Sequence, residues 1–118
     1  MKKYFADGPF GHQTVYVLKN LDDFREYKKL LGEEGIRRLL PNFYTIRKRF
    51  KKLCGTIVKQ ESYDENNNVV STDYKVIGIE DNYAYSDWYW ILQDINDPKI
   101  ITYVNINDSE FYKTNICG

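Results

Sequence analysis

A run of basic residues without acidic neighbours is the part of this sequence whose chemistry is easiest to interpret. Between Arg37 and Lys52 the chain has seven basic side chains, no acidic one, and Tyr44 among them. Guanidinium and ammonium groups neutralise phosphates, and an aromatic ring can stack on a base, so this composition is typical of nucleic-acid contacts. The candidate phosphate contacts, with Tyr44 as a stacking platform, are Arg37, Arg38, Arg47, Lys48, Arg49, Lys51 and Lys52.

The second half of this run has the period of an amphipathic helix. With Phe43 placed at 0° and each residue advancing about 100°, Ile46, Phe50 and Leu53 fall within about 80° of it on one side. Basic residues and Tyr44 spread over the remaining surface. This predicts an apolar face toward the core and a basic face that either contacts phosphates or is only a solvated face balancing acidic residues elsewhere. No established nucleic-acid-binding motif accompanies it.

A second candidate surface combines tyrosines with carboxylates. Side chains in 83–92 alternate, so that tyrosines and Asp87 project to one face of a strand while Trp88 and Trp90 project to the other. Such a face suits an inhibitor or adaptor of the anti-defence type that docks on a basic host protein. The alternative is a sheet that buries aromatic residues on both sides. The candidate protein contacts are Asp81, Tyr83, Tyr85, Asp87, Tyr89 and Asp94.

Charge is distributed unevenly along the chain. The formal net charge is zero, yet residues 1–60 contain 14 basic and 6 acidic side chains, and residues 61–118 contain 3 and 11. A basic side and an acidic side would orient the protein in the field of a charged partner, or the two halves neutralise each other where they meet. We therefore expect nucleic acid or a nucleoprotein complex as the partner, and a basic host protein as the alternative.

Residues typical of catalytic or metal sites are few. His12 is the only histidine, which excludes a multi-histidine metal site and disfavours a catalytic triad. Cys54 lies beside the apolar side of the predicted helix, where a packed thiol is more common than a nucleophile. The aspartates in 81–97 do not have the spacing of a calcium loop. We expect a non-enzymatic binding protein without metal or cofactor.

The pattern of elements predicts an α+β fold. A strand at 14–19 follows a glycine-rich turn, and Asn20 is placed to cap a helix that ends at Gly32. A short helical turn precedes Pro41, and a further helix begins at Asn42. The later predicted elements are strands near 55–63, 69–80, 83–93 and 99–106, joined by turns at 64–68, 81–82 and 96–98, and a last helical turn at 109–113. We predict one domain, residues 1–118, with an N-terminal helical segment on a C-terminal antiparallel meander of four to five strands, open or curled into a small barrel.

Length and composition predict one globular domain, and we expect it to be cytoplasmic. The chain has 118 residues, 42% of them apolar, and folding at this length can bury a sizeable core. Lys2 and Lys3 precede no apolar run of a signal peptide, and no stretch approaches a membrane span. We expect no membrane partner and reduced thiols at Cys54 and Cys117. Asn, Ile, Lys and Tyr, which have AT-rich codons, supply 44 residues, and this favours a low-GC bacterium, a phage or another mobile element as the source.

Overall fold

The computed structural model describes residues 1–8, 11–82 and 87–115 of the chain. Three helices and six strands are present in this part, as the predicted α+β class requires. The elements are β1 Lys2–Gly8, β2 Gly11–Leu18, α1 Leu21–Leu39, α2 Phe43–Leu53, β3 Ile57–Tyr63, β4 Val69–Asn82, β5 Asp87–Asp94, β6 Ile101–Asn105 and α3 Ser109–Asn115.

One antiparallel sheet contains all six strands. Its order is β1-β2-β4-β5-β6, and β3 also pairs with β4. The first half of β4 pairs with β3 and the second half with β2 along the same edge, while β5 takes the other edge. Helices α1 and α2 therefore connect two strands that share one edge of β4. The described strands do not close into a barrel, so that part of the prediction is not confirmed.

The N-terminal hairpin is the main departure from the prediction. The sequence predicts mostly helix for the first 53 residues and no strand before residue 14, whereas β1 pairs with β2 from Lys2 opposite Val17 to Gly8 opposite Gly11. β1 contains only Tyr4 and Phe5 as strong strand formers and lacks apolar alternation. Hydrogen bonding to β2 is therefore what makes this segment a strand.

Local backbone chemistry explains where α1 begins and where its helical conformation is interrupted. Asn20 Oδ1 accepts a hydrogen bond from the Asp23 N–H at 2.9 Å, and Asp23 Oδ2 accepts one from the Lys19 N–H at 2.7 Å. Gly32 interrupts the helical conformation with φ 71° and ψ 171°, a region that favours glycine. The predicted cap is confirmed, whereas the predicted helix end at Gly32 is a kink, after which α1 continues to Leu39.

An aromatic core lies between the helices and one face of the sheet. Phe24 of α1, Phe50 of α2 and Trp90 of β5 are each buried, with exposures of 0%, 2% and 0%. The Phe50 and Trp90 rings are stacked with centroids 6.3 Å apart and planes 9° from parallel. Trp90 Nε1 donates a hydrogen bond to the Tyr112 hydroxyl of α3 at 2.9 Å. All three helices are thus attached to the same face of the sheet.

Two of the predicted turns are confirmed and one is wrong. Asp64 Oδ1 accepts hydrogen bonds from backbone N–H groups in the 64–68 turn, and Asp94 Oδ1 does the same in the 96–98 turn. Asp81 and Asn82 instead form the end of β4, paired with β5. The connection between these strands lies outside the described residues.

In the described part of the chain, none of the helices combines the length and apolar character that crossing a lipid bilayer requires.

Candidate nucleic-acid interface

Four basic residues of α2 and Tyr44 form a stripe along one side of this helix. We call this set the α2 stripe, and it consists of Tyr44, Arg47, Lys48, Lys51 and Lys52. The spacing i, i+3, i+4, i+7 and i+8 places these side chains along one side of a helix. Tyr44 is 59% exposed, the three lysines are exposed, and Arg47 is half-buried.

Packing of the opposite side determines this orientation. The buried residues of α2 are Phe43, Ile46, Phe50 and Leu53, the same four that the helical projection places toward the core. Rotating the helix would expose these side chains and bury lysines, which is unfavourable on both counts. The predicted direction of the apolar face is confirmed.

Carboxylates do not neutralise the cations of the α2 stripe within the described part of the chain. The salt bridges formed there involve other groups, including Lys59 with Asp73 and Lys113 with Glu110. Among the described residues, the α2 stripe therefore forms no direct ion pair with the acidic C-terminal half of the chain. The positive charge of the stripe faces solvent.

A cleft between α1 and α2 lies at one end of the stripe. Its volume is about 200 Å³, and it is lined by Phe24, Arg25, Lys28, Phe43, Tyr44 and Arg47. Arg25 and Lys28 are cations that sequence reasoning missed. Their i, i+3 spacing on a helix was the available signal, but only packing shows that α1 brings them beside Tyr44.

Lys28 holds the ring of Tyr44 in position. Its Nζ donates a hydrogen bond to the Tyr44 hydroxyl at 2.7 Å and lies 5.1 Å from the ring centroid. The same ammonium forms an ion pair with Glu33 at 3.2 Å. The hydrogen bond to Tyr44 and the interactions with Glu33 raise the pKa of Lys28, so this group is positively charged at neutral pH.

Three of the predicted phosphate contacts are not part of the α2 stripe. Arg49 is half-buried, with its guanidinium carbon 4.1 Å from the centroid of the Tyr112 ring. Arg37 belongs to α1 and forms an ion pair with Glu34, and Arg38 is exposed in the last turn of the same helix. The structure thus brings together Tyr44 and four of the seven predicted cations.

The described members of the predicted acidic, tyrosine-rich surface do not all lie on one exposed face. Asp81 is 1% exposed and accepts a hydrogen bond from the Tyr27 hydroxyl at 2.8 Å, so its expected role as a surface contact is wrong. The physical reason is that Asp81 lies within β4 on the helix-covered face, not in a turn. Asp87 is half-buried and hydrogen-bonded to Asn105.

The remaining members of that surface are distributed differently. Asp94 is half-buried and its carboxylate accepts backbone hydrogen bonds from Asn96 at 2.7 Å and Asp97 at 3.2 Å. Tyr89 is half-buried on the face opposite the helices. Tyr83 and Tyr85 lie outside the described residues.

Groups suited to covalent or metal chemistry do not converge in the described part of the chain. Cys54 is half-buried, and burial raises the pKa of its thiol, with the charge of Lys75 opposing this effect. A raised pKa keeps the thiol protonated and therefore weakly nucleophilic. No group of three or more potential metal-ligating side chains occurs among residues 1–8, 11–82 and 87–115. Cys117 lies outside these ranges.

Comparisons with known protein families, with curated proteins and with solved structures found no match. No relative therefore assigns a function to the chain. The surface whose chemistry is most specific is the α2 stripe with its adjoining cleft.

Proposed function

We propose that this protein binds nucleic acid, alone or within a nucleoprotein complex, through the α2 stripe and the cleft between α1 and α2. One observation carries the proposal: the exposed ring of Tyr44 lies among cations, with Lys28 bonded to its hydroxyl and Arg47 lining the same cleft. A ring of this kind beside several cations is the combination that nucleic-acid strands contact.

The lysines of the stripe supply the electrostatic part of binding. Lys48, Lys51 and Lys52 are exposed on consecutive turns of α2, so phosphates of a strand can approach them without displacing carboxylates of the described residues. Each phosphate neutralised releases condensed counterions, and this entropy gain makes affinity fall with added salt. Binding through these groups is not specific for sequence.

Tyr44 supplies the stacking part. Its ring is 59% exposed, and one face can receive an unpaired base, a contact tolerant of base identity. Lys28 restrains the ring before binding and so lowers the entropy cost of ordering it. This combination favours single strands, or unpaired regions, over a regular duplex.

The proposed function is binding without catalysis. The weaker alternative is an inhibitor or adaptor that uses the acidic, tyrosine-rich surface of the sheet. Among the described members of the acidic surface, Asp81 is buried and Asp87 and Asp94 are occupied by internal hydrogen bonds. A basic host protein would therefore meet fewer free carboxylates there than the sequence suggests.

The test is a fluorescence anisotropy titration of labelled single strands and duplexes of DNA and RNA at several salt concentrations. The double variant Lys48→Glu with Lys52→Glu should reduce the slope of log affinity against log salt by about 1.4–1.8. The matched control, Lys75→Glu with Lys99→Glu, makes the same change in net charge at exposed sites on β4 and in the 95–100 loop, and should keep the slope.

Tyr44→Ala separates stacking from charge. Loss of the ring should weaken single-strand binding at least about fivefold, since stacking on one aromatic contributes about 1–3 kcal/mol per base, and should affect duplex binding much less. No binding of any nucleic acid at low salt would refute the proposal. Equal losses in the stripe variant and its control would show that only net charge matters.

A further inference from the structure

β1 is an edge strand, and none of the other described strands pairs with its outer side. The sheet order ends at β1, which pairs with β2 alone. An exposed edge presents backbone N–H and C=O groups that can extend the sheet with another strand. Phe5 in the middle of β1 is 76% exposed, although an apolar side chain of this size is usually covered.

Hairpin geometry determines which backbone groups of β1 point outward. A two-residue connection joins β1 to β2, and the register ends with Gly8 opposite Gly11. Residues flanking such a connection form a hydrogen-bonded pair, and bonded and non-bonded pairs alternate along the ladder. Even-numbered residues of β1 therefore bond to β2, while Lys3, Phe5 and Asp7 direct their N–H and C=O groups to the open edge.

We propose that the open edge of β1 binds β1 of a second copy of this chain, in an antiparallel pair with its two-fold axis beside Phe5. In this register Phe5 lies opposite Phe5 of the second copy, and Lys3 lies opposite Asp7 in both directions. The outward groups of all three residues then fall at hydrogen-bonded positions. The two sheets become one continuous sheet across the axis.

The order of charges along β1 selects a second copy as the occupant. Lys2 and Lys3 lie at one end of the strand and Asp7 at the other, so an antiparallel copy brings opposite charges together. A parallel copy would bring like charges together, which destabilises cross-strand pairs. Shifting the antiparallel register by two residues separates Lys3 from Asp7 and Phe5 from its counterpart. The zero net charge of the chain adds no overall repulsion.

The other edges of the sheet lack this complementarity. Asn115 of α3 occupies the outer edge of β3 at Lys59, where its side-chain amide accepts from the Lys59 N–H at 2.8 Å and donates to the Lys59 carbonyl at 3.2 Å. β6, Ile101–Asn105, contains no charged residue. Its edge therefore has no charge order that would select a copy of itself.

The resulting dimer is small and reversible. β1 has seven residues. Pairing one such strand buries less accessible surface than stable interfaces do, which bury about 800 Å² per partner. Dimer formation should therefore depend on protein concentration, with dissociation in dilute solution.

Sedimentation velocity over a wide concentration range tests the proposal. The unmodified chain should show a reversible monomer–dimer equilibrium. Lys3→Asp or Asp7→Lys should each weaken the dimer at least about tenfold, because each places like charges opposite one another twice in the symmetric pair. The double variant Lys3→Asp with Asp7→Lys should restore the dimer. Neither misfolding nor a change in net charge would explain such a recovery.

A matched variant on the other edge completes the experiment. Tyr103 on β6 is 50% exposed, and Tyr103→Lys should leave the β1 dimer unchanged. Circular dichroism melts would identify variants that fail to fold, and the rescued double variant then decides the matter. A chain that remains monomeric at all concentrations, a dimer that only Tyr103→Lys dissociates, or a failed rescue in a folded double variant would each overturn the proposal. The measurement contains no nucleic acid, so its outcome is independent of the proposed function.

Discussion

The guanidinium carbon of Arg49 lies 4.1 Å from the centroid of the Tyr112 ring. Tyr112 is itself fixed, because its hydroxyl accepts a hydrogen bond from Trp90 Nε1 at 2.9 Å and donates one to the carbonyl of Ile106. The contact joins α2 to α3, whereas the adjacent Lys48 is exposed to solvent. Neighbouring cations of one helix thus have different roles, one in packing and one available for binding.

Arg49→Ala should lower the free energy of unfolding by about 0.5–2 kcal/mol, through loss of the cation–π contact and of the packed side-chain stem. Lys48→Ala should change it by less than about 0.5 kcal/mol, as expected for an exposed side chain. Urea denaturation of both variants measures the difference. Equal losses would mean that the two cations do not differ in role.

Phe50→Ala should be among the most destabilising single changes in α2. Its ring lies between Trp90, with centroids 6.3 Å apart, and Phe24, with centroids 4.8 Å apart. Truncating it leaves a cavity where α2 meets the sheet, at a cost of about 3–5 kcal/mol. Thermal melts followed by tryptophan fluorescence report the loss, since Trp90 lines that cavity.

The double variant Lys48→Glu with Lys52→Glu is the matched comparison for Phe50→Ala. Both lysines are exposed, so the expected change in stability is small, within about 0.5 kcal/mol per site. A large loss in the double variant, or none in Phe50→Ala, would contradict the assigned orientation of α2.

Stability should decrease at alkaline pH because of tyrosines on the sheet face opposite the helices. The Tyr4 hydroxyl donates a hydrogen bond at 2.8 Å to Glu80, which is 4% exposed. Burial, followed by the interaction with Glu80, raises the pKa of Tyr4, and the same two causes in the same order raise the pKa of Tyr103. A group with a raised folded pKa contributes stability that is fully present below its unfolded pKa of about 10 and is lost at higher pH.

Tyr4→Phe should therefore reduce the fall in unfolding free energy above pH about 10. At neutral pH the same variant should be less stable by about 1–3 kcal/mol, since the buried Glu80 loses a hydrogen-bond donor. Tyr63, 75% exposed, gives the control Tyr63→Phe, which should keep the alkaline dependence. Chemical denaturation at several pH values measures both effects, and identical pH profiles for the two variants would disprove the assignment.

Cys54 should react slowly with alkylating reagents in the folded chain. Its thiol donates to the Lys19 carbonyl at 3.6 Å, and burial raises its pKa while Lys75 partly opposes the shift. Less thiolate is therefore present at a given pH than in the unfolded chain. A Cys117→Ser background isolates the signal, and Lys75→Ala should slow the reaction further. A rate equal to that of the urea-unfolded protein would contradict this.

Several elements could be predicted from the sequence because they depend on local interactions. The apolar period of α2, the Asn20 cap, the break at Gly32 and the Asp64 turn involve residues within a few positions of one another. Periodicity and capping chemistry are readable at that range. The exposed side of α2, and with it most of the candidate site, follows from the same period.

Contacts between distant segments could not be predicted in this way. Tyr27 donates a hydrogen bond to Asp81 across 54 positions of the chain. The pairing of β4 with β5 places this carboxylate in the core, where the sequence predicts a turn. Sequence alone determined which residue types occur and which side of α2 is apolar. Only the tertiary structure determined that β1 is a strand, that Arg49 packs on Tyr112, and that Arg25 and Lys28 line a cleft with Tyr44. Each of these depends on a partner that folding brings from another element.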